Sequence, residues 1–518
     1  MSPRAENAGA AAERRMNRTC RLWFAPVFLF QASFFCFVSQ HRLVDGDEGF
    51  YLLASRLVLQ HKRPYLDFFF TQAPLLPYVY AAWLKLAGIS WFSARILCAL
   101  LTAILGGLIY DHVCRETGKW LAGISAVILF ASASLVFAWF PIVKTFALST
   151  LFLFLAYLIV LRPSASRWLM ALAGACFGIS VDARSYVVAV IPVFLAWILW
   201  RQRGTATLCF LCGFVLGIVP SLLLFFASPD VYLFNNLGYH AARSKWGLIG
   251  DWRNKARIAR LMFTGTHAGG QFSILSASCA AGLILTWRRR RDASLLAFTI
   301  AFVLGVVSLL PTPSSLQYFS MIMPFLIVAT VCTVSDSLSS LCLPQAPRVR
   351  VAGAVCVLLL AGFIGFGVLS FREYLFDGRE VPGIKGAVDA PNWTLQQVSA
   401  VSQAIDELTV PGEQVASFWP GYIFASQADP YPGFENNFGM WIARDLTPQR
   451  RRRYHIVFDP EIDAAFAGHG PRLAVVGNQG LFSGGADYAA SVRMLHGHDY
   501  FLAKMVGETS IYECCAGR

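Results

Sequence analysis

Asp45, Asp47 and Glu48 stand within four positions of one another, directly after an apolar run and ahead of a stretch rich in aromatic residues and prolines. Phe50, Leu53, Leu57 and Val58 follow at helical spacing, with Arg56, His61, Lys62 and Arg63 as cations, so the segment reads as an amphipathic helix lying at a membrane surface. Acids facing basic side chains at a lipid boundary suit a reaction between an anionic lipid and a polar acceptor. The same acids equally suit capping of that helix, and residue types alone do not separate the two. Asp182 and Arg184, in GISVDARSYVVAV, form a second constellation. The apolar segments flanking them, 168–181 and 186–200, are too short to cross about 30 Å at about 1.5 Å per residue, so their turn is expected below the surface. Charges at that depth face a polar cavity or each other, as an ion pair that stabilises the turn. Lys144, in WFPIVKTF between the apolar segments 120–139 and 145–161, sits at the outer mouth, as a site cation or as a side chain snorkelling to the interface. Tyr239, His240, Arg243, Lys245 and Arg257 offer phosphate donors on a later loop that also suits simple interface anchoring, and Gln317 and Tyr318 follow the turn PTPSS.

Composition decides what kind of element must bring these side chains together. Of 518 residues, 56% are hydrophobic and 14% charged, whereas soluble domains carry about 25% charged residues. A soluble globular protein is excluded. The net charge of +13 would suit nucleic acid if its cations shared a face, but they fall in short clusters between apolar runs, as at Arg288, Arg289, Arg290 and Arg291. That is the positive-inside pattern of a polytopic membrane protein, with no nucleic-acid partner.

Spans are predicted at 22–39, 93–110, 120–139, 145–161, 168–181, 186–200, 205–227, 272–287, 294–311, 318–334 and 351–371, or about eleven. Arg14, Arg15, Arg18 and Arg21 precede the first, and no small-residue cleavage site follows it, so residues 1–21 are expected to be a basic cytoplasmic N-terminus ahead of an uncleaved anchor. Arg115 and Lys119, Arg162 and Arg167, Arg201 and Arg203, the 288–291 cluster, and Arg348 and Arg350 then fall on the same side. The loops 40–92 and 228–271 fall opposite, and all the polar constellations converge on that outer face.

Beyond residue 371 the hydropathy drops, and 372–518 is expected to be a separate extracytoplasmic α/β domain. Thr394 caps a predicted helix to about Leu408; EQVASFW, RLAVVG, FLAKMVG and SIYEC read as strands. Asn392-Trp393-Thr394 is a short sequon of low specificity. Most of the 13 cysteines lie in apolar runs and read as core residues; Cys209 and Cys212 lack a second ligand pair, and adjacent Cys514 and Cys515 cannot readily bond each other.

The stretch DGDEGFYLLA followed by RPYLDFFFTQAPLLPYVYAAWLKLAG resembles the first loop of polytopic GT-C glycosyltransferases, in the branch of protein O-mannosyltransferases and the lipid A aminoarabinose transferase. The likeness extends through the short segments around Asp182, the GYH loop, QYFSMIMPF and the C-terminal VPGEQVASFWP to SIYEC. It implies a GT-C fold over 22–371 in a bacterial inner membrane. The implied activity is an inverting transfer, hexosyl or pentosyl, from a polyprenyl-phosphate sugar to a glycan, lipid or protein acceptor at the outer face. A first-loop acid is the proposed catalytic group in such enzymes, and the match falls on Asp47 and Glu48, with Asp47 as the implied general base and Glu48 orienting it, holding the acceptor or binding a divalent ion. The resemblance leads us to expect Arg184, Lys144, His240 and Arg243 at the donor phosphate, with Asp45, Asp182, Tyr239, Gln317 and Tyr318 in support. Some relatives use a divalent ion; many carry an acid in the second outer loop where this chain has Lys144, which weakens the case for a metal. The rival reading, a lipid or sugar transporter or flippase, calls for internal repeats, and no repeat relates the two halves of this sequence. A third reading, a non-catalytic sugar-lipid scaffold, requires Asp47 to be dispensable.

Overall fold

The structure is a computed structural model describing residues 3–163, 165–202, 204–243, 247–286, 291–341, 346–477 and 488–514. Arg203, Lys245, Arg288, Arg289, Arg290 and Cys515 lie outside these residues, as do the side chains of Arg14, Arg15, Arg18, Arg348 and Arg350.

The chain is a helical bundle with a small α/β domain at one end. In order come α1 (Pro3–His41), α2 (Gly46–Leu59), α3 (Leu75–Ala87), α4 (Trp91–Thr117), α5 (Trp120–Ser132), α6 (Ser134–Phe137), α7 (Thr145–Val160), α8 (Arg167–Ala183), α9 (Ile191–Arg201), α10 (Gly204–Gly217) and α11 (Val219–Ala227). After shorter pieces, α12 (Pro229–Leu233), α13 (Tyr239–Ala242) and α14 (Gly247–Arg260), the bundle closes with α15 (His267–Leu285), α16 (Asp292–Ser308), α17 (Met323–Leu341) and α18 (Ala346–Arg372). Side-chain caps fix several starts: Ser90 accepts from Ser93 N for α4, and Thr266 from Gly269 N for α15.

A helix stands at each of the eleven predicted segments, but length and composition qualify fewer of them as crossings. Thr19–His41, Trp91–Thr117, His267–Leu285, Leu316–Ser339 and Val351–Asp377 are long and apolar enough, five among the described residues. The pair α10 and α11 makes a sixth if taken as one span bent by 59°. The bend falls ahead of Pro220, whose ring and missing N–H break the helical ladder. Trp120–Ser132, Thr145–Val160 and Asp292–Ser308 are apolar but short. The final helix also runs past residue 371: a π-helical turn continues it to Asp377, and Gly378 ends it at φ 68°.

Two glycine pairs set the closest helix contact. A Cβ on Gly174 of α8 would lie 1.9 Å from Phe210 O of α10, and one on Gly213 of α10 would lie 1.9 Å from Ala171 O. With Gly178 and Gly217 one turn further on, small residues let the two backbones touch. The basic ends are partly neutralised, Arg291 by Asp336 at 2.7 Å and Arg115 by Asp111 at 2.8 Å.

In the C-terminal part, Thr394 accepts from Gln397 N and caps the helix Leu395–Leu408. Strands β1 (Gln414–Ser417), β2 (Asp429–Pro430), β3 (Leu473–Val476), β4 (Tyr500–Val506) and β5 (Thr509–Cys514) form one sheet in the order β2-β1-β3-β5-β4. β1 pairs parallel with β2 and β3, and β5 antiparallel with β3 and β4. Alternation assigns the faces: Val415, Leu473, Val475 and Ile511 join the core that continues into the bundle, while Ala416, Ala474, Val476 and Tyr512 build a second core with Phe418, Phe434 and Phe466.

This domain sits on α2. The expected surface helix is instead buried along nearly its whole length, and Arg56 donates to Ile423 O, Ser426 O and Ala428 O at 2.6–2.7 Å and to Asp429 at 3.0 Å. Gly49 allows the approach, since a Cβ there would lie 2.7 Å from Gly421 N. Trp419 Nε1 donates to Gly46 O, and Tyr454 stacks on Phe234 at 3.6 Å. The domain thereby clamps both loops that carry the candidate site.

Candidate active site

Asp45 starts α2. Its side chain accepts from Asp47 N at 3.0 Å, and Glu48 reaches back to Asp45 N at 2.9 Å, a capping box that fixes all three acids relative to one another. The capping reading and the chemical reading therefore coexist, divided among the residues. Glu48 is fully buried and saturated. Its Oε1 accepts from Asp45 N and Arg95 Nη2, and its Oε2 from Arg95 Nε and Val143 N. Arg95 also donates to Ser39 O, closing the end of α1. With each oxygen accepting two bonds, no lone pair is left for a substrate or a metal. Of the roles expected for Glu48, its contacts leave orienting the loop that carries Asp47, and not direct contact with substrate or metal. Arg95 was missed; its only signal was a lone charge one turn inside an apolar helix.

Asp47 points the other way, its side chain 29% exposed, into a cavity of about 220 Å³. Asp47, Tyr51, Thr71 and Gln72 of the first loop form one wall; Lys144, Phe146, Arg184, Tyr239, Arg243, Gln317 and Tyr318 form the others; Phe438 and Trp441 close it from the C-terminal domain. Seven expected residues meet here across some 270 positions of sequence, namely Asp47, Lys144, Arg184, Tyr239, Arg243, Gln317 and Tyr318. Asp45, Glu48, Asp182 and His240 are not part of its wall.

Lys144 is buried. Its ammonium lies 2.7 Å from Asp45 Oδ1, 2.9 Å from Asp47 Oδ2 and 2.6 Å from Gln317 Oε1, over the Trp139 ring at 4.7 Å. Three partners use its three donors, so the expected phosphate role, like the snorkelling alternative, gives way to a clamp on the acids. Two carboxylates share one ammonium. For Asp47 burial raises the pKa first, Lys144 opposes and Asp45 adds to it. For Lys144 burial alone would lower the pKa, but Asp45 and Asp47 outweigh it and the direction is up.

Arg184 follows the last turn of α8 in an extended conformation, φ −151° and ψ 100°, which swings its side chain out of the helical array. The expected pair with Asp182 does not form. Asp182 accepts from Ser221 Oγ beside the α10–α11 break, whereas Arg184 Nη1 donates to Thr145 Oγ1 at 2.6 Å and the guanidinium lies over Phe146, Tyr186 and Tyr318 at 4.3, 4.7 and 5.2 Å. Its buried Nε has no partner. Arg243 is held by Thr312 O at 3.0 Å and sits over Tyr239 at 5.9 Å. Near the phenols of Tyr318 and Tyr239, its positive form is favoured against the cost of burial. Two guanidiniums and two phenols thus line the same cavity as Asp47, donors suited to a phosphate.

His240 does not reach that group. Its Nε2 donates to Thr71 O at 2.9 Å, and burial, then Arg243, pushes its pKa down to about 4. Being neutral and committed, it supports the first loop and supplies no cation. No group of three or more His, Cys, Asp or Glu side chains among the described residues is arranged to hold a metal ion, and the first-loop acids that would have to do so already hold Lys144.

Residues 71–230 match the family described as dolichyl-phosphate-mannose-protein mannosyltransferase. A sequence comparison with curated proteins gives no match. Among solved structures, the chain is similar to ArnT from Cupriavidus metallidurans bound to undecaprenyl phosphate, at 15% identity and a TM-score of 0.64, with 95% of this chain and 98% of that one covered. The apo state of the same protein gives 14% and 0.63 over the same shares. The Archaeoglobus fulgidus oligosaccharyltransferase in the apo form gives 13% and 0.50, covering 88% of this chain and 69% of that one. The fold is that of the GT-C type membrane glycosyltransferases.

Proposed function

We propose that this chain is a membrane glycosyltransferase that moves a sugar from a polyprenyl-phosphate carrier to an acceptor hydroxyl, with inversion, at the outer face of the membrane. The observation that carries the reading is that Asp47, Arg184, Arg243 and Tyr318 line one cavity. A carboxylate base and an anion site sharing one cavity supply the two groups that displacement at a sugar carbon requires. The match to a structure that binds undecaprenyl phosphate supports this class of donor.

In this reading Asp47 accepts the proton of the acceptor hydroxyl as its oxygen attacks the anomeric carbon. The bond from that carbon to the carrier phosphate oxygen breaks, and the polyprenyl phosphate leaves with the electron pair. Arg184 and Arg243, helped by the Tyr318 and Tyr239 phenols, hold the charge that develops on the leaving phosphate. Lys144 and Gln317 keep Asp47 in place. Phe438 and Trp441 give the acceptor side an apolar wall, so residues 372–518 would lie outside the membrane and take part in choosing a glycan, lipid or protein acceptor.

The test is consumption of a panel of polyprenyl-phosphate sugars by the purified chain in lipid, wild type against Asp47→Asn at matched folding. We expect one donor to be turned over by wild type and the rate to fall about 1,000-fold or more in the variant. Equal turnover by both would remove Asp47 from the mechanism; no turnover of any donor, even with crude envelope as acceptor, would favour transport or scaffolding.

A further inference from the structure

We infer that Lys144 is a built-in cation standing where a divalent ion would have to bind, so that the first-loop acids of this chain work with an ammonium and without a metal. The inference rests on the reading of Asp47 as the base.

Geometry carries it. A hard divalent cation needs several oxygen ligands at about 2.0–2.6 Å, and here Asp45 and Asp47 are the carboxylates with side chains turned toward one another. Lys144 Nζ already lies between them, 2.7 Å from Asp45 Oδ1 and 2.9 Å from Asp47 Oδ2, with Gln317 Oε1 as third ligand at 2.6 Å. Asp45 Oδ1 accepts in addition from Asp47 N, and Glu48 is spent on Arg95. The Lys144 ammonium is 3% exposed and stands between the two carboxylates, so a metal held by both would have to displace it; the second oxygen of Asp45, Oδ2, is buried without a hydrogen-bond partner.

The ammonium is not placed by its own flexibility. Lys144 is extended, at φ −137° and ψ 169°, immediately before α7, and the preceding residue donates its backbone N–H to Glu48 Oε2 at 3.0 Å. The second loop is thus stitched to the first one residue ahead of the lysine, by the acid that the Arg95 pair immobilises. The Trp139 face covers the other side of the charge. Lys144 engages only Oδ2 of Asp47, so the carboxylate is oriented and left with an oxygen for a hydroxyl. Lys144 is in these terms a positioning residue.

The test uses the full chain in lipid nanodiscs and two readouts. The first is Mn2+ binding followed by electron paramagnetic resonance, which needs no substrate. Wild type is expected to show no bound Mn2+ that depends on Asp45, whereas Lys144→Glu, adding a carboxylate where the ammonium stood, is expected to bind it at least about tenfold more tightly. A wild-type Mn2+ site abolished by Asp45→Asn, or a Lys144→Glu chain that binds no better than wild type, would overturn the inference. The second readout is turnover: wild type should be unchanged by EDTA, Lys144→Met should lose about 100-fold in kcat with little change in donor KM, and Lys144→Arg should restore part of it. Loss of wild-type turnover in EDTA with recovery on adding Mg2+ or Mn2+ would also overturn it. If no donor is turned over at all, the proposed activity fails, and the Mn2+ titration of wild type still decides this point.

Discussion

At the scale of single residues, the site is an exercise in charge balance. Asp47 gains proton affinity from burial and from Asp45 and loses it to Lys144 and Arg243. The base is active when deprotonated, so turnover rises with pH through its pKa. Removing the Arg243 charge removes an influence that lowers that pKa, and the acid limb of kcat/KM must then move to higher pH. We therefore expect Arg243→Gln to shift the limb upward and raise the donor KM, while Arg243→Lys, which keeps the charge, leaves the limb near its wild-type position. An acid limb that is the same in wild type and Arg243→Gln would mean that the titrating group is not Asp47.

At the scale of elements, the α8–α10 contact decides where Arg184 stands. Arg184 follows directly on α8, and α8 is held at backbone contact with α10 by Gly174, Gly178, Gly213 and Gly217. A Cβ at Gly213 would meet Ala171 O at 1.9 Å, a backbone atom that cannot step aside as a flexible side chain could. Gly213→Val should therefore force the helices apart, cost about 1–3 kcal/mol, lower the melting temperature of the protein in lipid and raise the donor KM by displacing Arg184. Gly204, at the open start of α10, is the control, because a Cβ there would meet nothing within 4 Å; Gly204→Val should leave both measurements unchanged. Equal effects at the two positions would refute the close-contact account.

At the scale of the whole molecule, the cavity is complete only when the C-terminal domain is seated. Phe438 and Trp441 come from that domain, and Arg56 of α2 ties it down through three buried carbonyls and Asp429. Arg56→Met removes all four bonds; Ile423 O keeps the Ser426 N–H and Asp429 keeps Gln60, so the cost is about 1–3 kcal/mol for the buried carbonyls that lose their side-chain donor. The expected result is faster limited proteolysis within residues 372–518 and reduced turnover, with Mn2+ binding by Lys144→Glu still intact in the double variant. Unchanged proteolysis would show that the aromatic contacts around Trp419 hold the domain without Arg56.

Much of this was legible in the chain. Apolar runs located the helices because burial in lipid or in a bundle is a property of each stretch by itself, and Thr394 and four of the five strands of the C-terminal sheet followed from local capping and alternation; the two-residue β2 is too short to show a pattern. Asp47, Arg184, Arg243 and Tyr318 stood out because a charged or polar group amid apolar sequence needs a reason. Tertiary structure alone decided how those groups were divided. Asp182 and Arg184, two residues apart, part company because the helix ends between them. Glu48 is withdrawn by an arginine 47 positions away, and Lys144 becomes a clamp through contacts 97 and 99 positions back in the chain. A side chain's partners depend on the phase at which its helix starts and on which distant backbone closes over it, and neither is written in its neighbours along the sequence.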